Sequence, residues 1–298
     1  MHLAGAGVSD LSVRGVRRAV LWLMALLVVA YAGYCGYMWK VQRQLIFKPA
    51  MRLETTPGRD GLKFEAVHIP SGSGSERGEL YGWWIPAAQA NAPTLLYLHG
   101  NDNNISHGHD IDAAMRMHGM GYNLLMIDYR GYGESTGGPP SEAKVYEDAE
   151  SAWDYLVSQR GCLPQRTFIY GHSLGGAIAV DLAVHHPEAA GLIVESTFTT
   201  MAAMGKLRYG YVLPVDLLLN QNFNTLGRVG RLKIPVLFIH GTWDKVVPYQ
   251  MSEELYDKAP QPKFLVLIKG GRHTNNSSIG WLQYRDALGA FVQRYAHR

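Results

Sequence analysis

The sequence predicts an α/β protein: a mainly parallel sheet of eight strands with helices on both faces, preceded by one N-terminal transmembrane helix. Two observations predict the sheet. From residue 94 onward near-continuous apolar runs recur ("TLLYLHG", "YNLLMID", "TFIYG", "GLIVES", "PVLFIHG", "KFLVLIKG"), as strands buried on both faces require. Helix-like segments near 104–119, 142–159, 173–186, 250–259 and 279–296 separate them, and such alternation argues for parallel strands joined by helical crossovers. A third observation predicts the membrane helix. No residue from Ala19 to Trp39 is charged, and about 21 residues suffice to cross a hydrocarbon layer of about 30 Å.

Residues 1–18 read as a basic N-terminal arm, with Arg14, Arg17 and Arg18 ahead of the apolar segment. Residues 19–39 read as the anchor, with Lys40 and Arg43 beyond it and Tyr34, Tyr37 and Trp39 near its end as an aromatic belt. A cleaved signal peptide is the competing reading, with "AYA" as a small-x-small site ending at Ala32. Three basic residues flank each side, and the paired arginines favour an inside N-terminus, with the catalytic domain outside the cytoplasm. The first 50 residues hold six basic side chains against one acid, and the rest holds 22 basic against 24 acidic. That balance leaves no basic footprint for nucleic acid. Cys35 and Cys162 lie far apart in unlike surroundings, so a disulfide between them is not expected.

Residues 40–298 form one domain by length and composition. "VQRQLIFKPAMRLETTPGRDGL" reads as a surface connector. "FEAVHIP" and "GELYGWWIP", split by "SGSGSERG", read as a hairpin-type meander that supplies the first two strands.

In a doubly wound sheet, chemistry sits at the carboxyl ends of the strands. The pattern Gly-x-Ser-x-Gly occurs twice. Ser135 is followed by Gly138, Pro139 and Pro140, which cannot start a helix, so it reads as a turn serine. Ser173 follows the run "TFIY" and precedes "LGGAIAVDLAVHH", the strand–serine–helix context of a nucleophile elbow. His273, in "GGRHTNN" after the last strand, is the candidate general base. Asp244, in "GTWDKVVP", is the candidate carboxylate that orients it, and Glu195 in "VESTF" is its rival. The backbone N–H groups of Leu174 and of Asn101, in "LHGN", are the candidate oxyanion donors. "HGHDID" (His107, His109, Asp110, Asp112) reads as a polar helix face near the site more than as a metal cluster. Asp128 and Arg130 in "DYRGYGES" read as braces for a neighbouring loop.

With these motifs in place, the chain resembles the α/β-hydrolases. "RQLIFKPAMRLETTP", "GWWIP", "LYLHGN", "DYRGYGES", "GHSLGGAIAVDLA", "VESTF", "FIHGTWDKVVP" and "GGRH" resemble a membrane-anchored branch related to lysophospholipases, depalmitoylases and serine aminopeptidase-like hydrolases. The resemblance implies Ser173, Asp244 and His273 as the triad, and neither metal nor organic cofactor. It departs at His172, where such relatives often carry arginine. The segment 198–231 falls where these folds insert lids, and it is short for a cap domain. Its Met, Leu and Tyr content suits an acyl chain or, equally, a helix packed on the core. The expected activity is hydrolysis of small-molecule or lipid esters or thioesters through an acyl-enzyme. A peptidase, an acyltransferase and a catalytically inactive anchored binding protein are the alternatives.

Overall fold

The computed structural model describes residues 8–296, with side chains from residue 13. Its first element, α1 (Val8–Ile46), runs 39 residues without a break, since no proline intervenes before Pro49 to stop it. The helix overruns the segment 19–39 at both ends. Residues 8–18 of the expected arm are helical, while residues 1–7 lie outside the described residues. Residues 41–46, read as surface connector, continue the helix, and Gln42, Ile46 and Phe47 are buried. The helix is long and apolar enough to cross a membrane, and no residue of its apolar stretch is buried in the protein.

After α1 come β1 (Lys48–Pro49), β2 (Glu65–Ser71), β3 (Gly78–Ile85), β4 (Thr94–Leu98), β5 (Asp102–Asn103), α2 (Gly108–Gly119) and β6 (Asn123–Ile127). Then follow α3 (Glu142–Asp154), β7 (Thr167–His172), α4 (Leu174–His185), β8 (Gly191–Glu195), α5 (Met201–Tyr209), α6 (Val215–Leu218) and α7 (Thr225–Val229). The chain closes with β9 (Val236–Gly241), α8 (Gln250–Lys258), β10 (Lys263–Ile268), α9 (Asn276–Ile279) and α10 (Trp281–Tyr295). Eight strands form one sheet in the order β10-β9-β8-β7-β4-β6-β3-β2. Among the described residues only β3 runs against its neighbours, β2 and β6. The edge strand β2 alternates exposed and buried residues, whereas β4, β7, β8 and β9 are buried at every position. At the other edge β10, whose continuous apolar run "KFLVLI" reads as a strand buried on both faces, is half-buried at every position but Ile268, because an edge strand has a neighbour on one side only.

Consecutive strand residues face opposite cores. Leu96 and Leu98 point to the side covered by α3, α4 and α8, and Leu95 and Tyr97 to the side covered by α2 and α10. The fully buried Arg130 braces the loop after β6. Its guanidinium donates to Asp148 (2.6 Å), Glu147 (2.6 Å) and the Glu76 carbonyl (2.8 Å), tying that loop to α3. The serine of the second Gly-x-Ser-x-Gly match lies in this loop: Ser135 donates to the Asp128 carbonyl (2.7 Å) and accepts from the Tyr81 N–H, so it is a turn serine.

Candidate active site

Ser173 joins β7 to α4 with φ 54° and ψ −118°, a backbone geometry that costs a non-glycine residue about 1–3 kcal/mol. Tight packing enforces it. A Cβ at Gly171 would lie 2.2 Å from the Gly175 carbonyl, and one at Gly175 would lie 2.0 Å from the Leu98 carbonyl. The Ser173 N–H donates to the Glu195 carbonyl (2.9 Å) and its own carbonyl accepts from the Thr197 hydroxyl (2.7 Å). Gly175→Ala should accordingly cost about 3 kcal/mol in urea unfolding, because backbone rather than a flexible side chain must retreat. An unchanged midpoint would show that the end of β4 yields freely.

The turns after β9 and β10 bring Asp244 and His273 to this serine. Asp244 Oδ2 lies 2.7 Å from His273 Nδ1, and His273 Nε2 lies 2.9 Å from Ser173 Oγ. An ionised carboxylate only accepts, so Nδ1 carries the proton and Nε2 accepts the serine hydroxyl. Asp244 Oδ1 accepts the N–H groups of Val246 (2.8 Å) and Val247 (2.9 Å), and His240 Nε2 donates to Oδ2 (3.1 Å). Burial disfavours the Asp244 charge, yet the hydrogen bonds from His240, His273 and Val247 outweigh it and hold this carboxyl well below its usual range. His240 is a partner that sequence reasoning missed, although it stands in the same "FIHGTWD" stretch as Asp244.

Glu195, the rival acid, is turned away from His273. It accepts from Tyr170, Tyr284 (3.0 Å) and Asn276 (2.9 Å) beneath the sheet end. In "HGHDID", Asp110 accepts from the Tyr97 hydroxyl (2.7 Å), and the His109 ring lies 5.3 Å from that of His172. His172 Nε2–H donates to the His273 carbonyl (2.8 Å), bracing the loop that carries the imidazole. Burial pushes His99 down to about 3 and lowers His172 and His109 as well, so these three rings are neutral neighbours of the site.

Burial also pushes Asp128 up to about 8, and its Oδ2 has no hydrogen-bond partner. A carboxyl with a raised folded-state pKa holds its proton more tightly folded than unfolded. Its contribution to stability is therefore complete below about pH 4 and is lost as pH rises toward 8. Asp128→Asn still accepts the Ile105 N–H, bonded at 2.9 Å, and cannot ionise. Its melting temperature should fall less than that of the parent between pH 5 and pH 8, and equal falls would overturn this assignment.

Asn101 and Leu174 flank Ser173 at the floor of a cavity of about 720 Å³. Among the described residues neither backbone N–H donates to a protein acceptor, and both are available to a ligand. The cavity walls are α5, α6 and the C-terminal turns of α1, with Met38, Leu45, Met201, Met204, Leu213 and Leu218 among the lining side chains. Within segment 198–231, α5 has no fully buried residue, packs Met201, Ala203 and Met204 against the core and turns the same two methionines to the cavity, while Phe223 and Val229 are buried. The α1 wall was not legible as such. Gln42 fixes it by donating to the Leu218 carbonyl (3.1 Å) and accepting the Asn220 N–H (2.8 Å), and Asn101 Nδ2 donates to the Ile46 carbonyl (2.7 Å).

The model of a hydrolase family, serine aminopeptidase S33, matches residues 89–224 and 215–275. The chain is 32% identical to the uncharacterized protein Rv2307c of Mycobacterium tuberculosis, over 94% of this chain and 97% of that one. It is 29% identical to the alpha/beta hydrolase domain-containing protein WAV2 of Arabidopsis thaliana, over 86% and 88%. Among solved structures, the Pyrococcus furiosus esterase Pf2001 superposes with a TM-score of 0.70 at 21% identity, over 84% of this chain and 99% of that one.

Proposed function

The chain belongs to the serine aminopeptidase S33 family of α/β-hydrolases, and from that premise we propose that it is a membrane-anchored serine hydrolase cleaving carboxylic esters or thioesters of apolar acyl groups. The observation that carries this reading is Ser173 Oγ, hydrogen-bonded to His273 at the floor of an apolar cavity. Ser173 Oγ adds to the acyl carbonyl as its proton passes to His273 Nε2, while Asp244 accepts from Nδ1 and stabilises the imidazolium. The carbonyl oxygen takes the electron pair and faces the N–H groups of Asn101 and Leu174. Collapse breaks the bond to the leaving oxygen or sulfur, which receives the proton from His273. Water then repeats the sequence on the acyl-enzyme and frees the acid.

The cavity lining argues for ester over aminopeptidase chemistry. Lys48, Arg208 and Lys245 contribute to it and, among the described residues, no Asp or Glu does. A free α-amino group would meet no carboxylate there, whereas an anionic leaving group would meet cations. Residues 19–39 serve in this reading as the anchor of domain 40–298, with 198–231 as its lid and the catalytic domain outside the cytoplasm. The test is labelling by a fluorophosphonate, then turnover of p-nitrophenyl esters from acetate to palmitate against an aminoacyl p-nitroanilide. Labelling with kcat/KM rising toward medium and long chains is expected. No labelling of the folded protein would sink the catalytic reading, and preferred anilide turnover would make it a peptidase.

A further inference from the structure

The lid does not only roof the cavity; it also runs back along α1. Tyr31 donates its hydroxyl to the Val212 carbonyl at 2.7 Å, and Tyr31 lies within the charge-free stretch. Arg17 and Arg18 close that stretch on one side. A helix rises about 1.5 Å per residue, so Arg18 to Tyr31 spans about 20 Å. An apolar layer of about 30 Å that begins just past Arg18 therefore reaches to about residue 38. Tyr31 lies about 10 Å inside it. Tilting the helix only moves the boundary further along the chain. Whatever touches Tyr31 is at the depth of acyl chains.

The side chains of the lid tip suit that depth. Tyr211, Val212 and Leu217 are 102%, 68% and 85% exposed, a cluster of large apolar groups that a water-facing loop would not present. The bond from Tyr31 satisfies a carbonyl that hydrocarbon would leave unpaired at a cost of several kcal/mol. The charges beside the tip are managed. Asp216 pairs with Lys206 at 2.7 Å, the Lys206 stem is long enough to carry its cation toward head groups, and Arg208 lines the cavity. From Ser173 the cavity extends between α1 and the lid as far as Leu207, Tyr209 and Leu213, next to this tip.

We propose that the lid tip, residues 207–217, is a second membrane contact embedded in the leaflet beside α1, so that the cavity opens sideways into the acyl-chain layer and receives its substrate from the bilayer. This rests on the anchored-hydrolase reading and adds the substrate's source: an ester lipid moving laterally along α1, carbonyl toward Ser173.

The test uses the full chain in phosphatidylcholine vesicles, with Cys35→Ala and Cys162→Ser and one new cysteine bearing an environment-sensitive fluorophore. Leu217→Cys reports the lid, Val28→Cys the anchor, and Leu163→Cys the far end of the sheet, where Leu163 is 60% exposed. The expected result is quenching of the Leu217 and Val28 probes by doxyl-labelled lipids, with the Leu163 probe unaffected. Quenching at Val28 but not at Leu217 overturns the proposal and leaves the anchor standing. No quenching at Val28 overturns the anchor and the proposal together. This arm needs no turnover, so a failure of the catalytic reading is distinguishable. In kinetics, Tyr211→Glu with Leu217→Glu, neither residue lining the cavity, should lower turnover of a vesicle-embedded long-chain ester at least tenfold while p-nitrophenyl butyrate turnover holds. Equal rates with the parent on both substrates overturn lateral entry.

Discussion

Ser173→Ala should reduce ester turnover by roughly 10⁵–10⁶-fold and abolish fluorophosphonate labelling, with no loss of fold. The hydroxyl is the only group removed, and among the described residues its one hydrogen bond is to His273. The backbone strain at φ 54° stays, because alanine keeps the Cβ that causes it, so the melting temperature should shift little. Ser173→Gly separates the two effects. It too should be inactive, but relief of strain of about 1–3 kcal/mol exceeds the entropic cost of a glycine, roughly 0.5–1 kcal/mol. Thermal unfolding should then place Ser173→Gly above Ser173→Ala. Residual turnover within a hundredfold of the parent in either variant would assign the reaction to another nucleophile.

Asp244→Asn should lower kcat by ~10³–10⁴, and the hydrogen-bond pattern dictates why. Oδ1 accepts two N–H groups, from Val246 and Val247, so the amide oxygen of asparagine must take that place. The NH₂ then occupies the Oδ2 position and points at His273 Nδ1. The imidazole must accept there and carry its proton on Nε2, where it cannot take the serine proton. The same NH₂ also opposes the donating Nε2 of His240. The loss should appear in kcat with KM little changed, and circular dichroism should report an intact sheet. A loss below tenfold would mean that His273 keeps its tautomer without the carboxylate. Because its partners hold Asp244 well below the usual carboxylate range, it stays ionised where imidazoles titrate. The acid limb of the kcat profile therefore does not report Asp244.

The sequence alone specified most of the scaffold because the signals are local. Continuous apolar runs marked the central strands, and their observed bounds differ from the reading by a residue or two: 123–127 for β6, 236–241 for β9. Proline and glycine placement separated Ser173 from Ser135 without any coordinates. The residues read at the strand ends, Ser173, Asp244 and His273, are the ones the fold draws into hydrogen-bond contact. A carboxylate or imidazole after a parallel strand has one side of the sheet to go to. Helix ends were less legible. α2 begins at Gly108 where the reading began near 104, and Gly280 divides the segment 279–296.

Only the tertiary structure shows which of Asp244 and Glu195 meets His273. Both follow a strand, and the choice rests on Tyr170, Tyr284 and Asn276, which come from distant elements to claim the Glu195 carboxylate. It alone could turn residues 41–46 from a connector into a cavity wall. Their contacts with Leu218, Asn220 and Asn101 span more than 50 positions and leave no periodic trace in either partner. The sequence by itself determined which groups are chemically able to act and where along the chain they sit, since propensity, hydrophobic period and turn chemistry are properties of neighbours. What surrounds those groups, and what the lid touches, depends on packing between segments far apart in the chain, and that information exists only once the chain has folded.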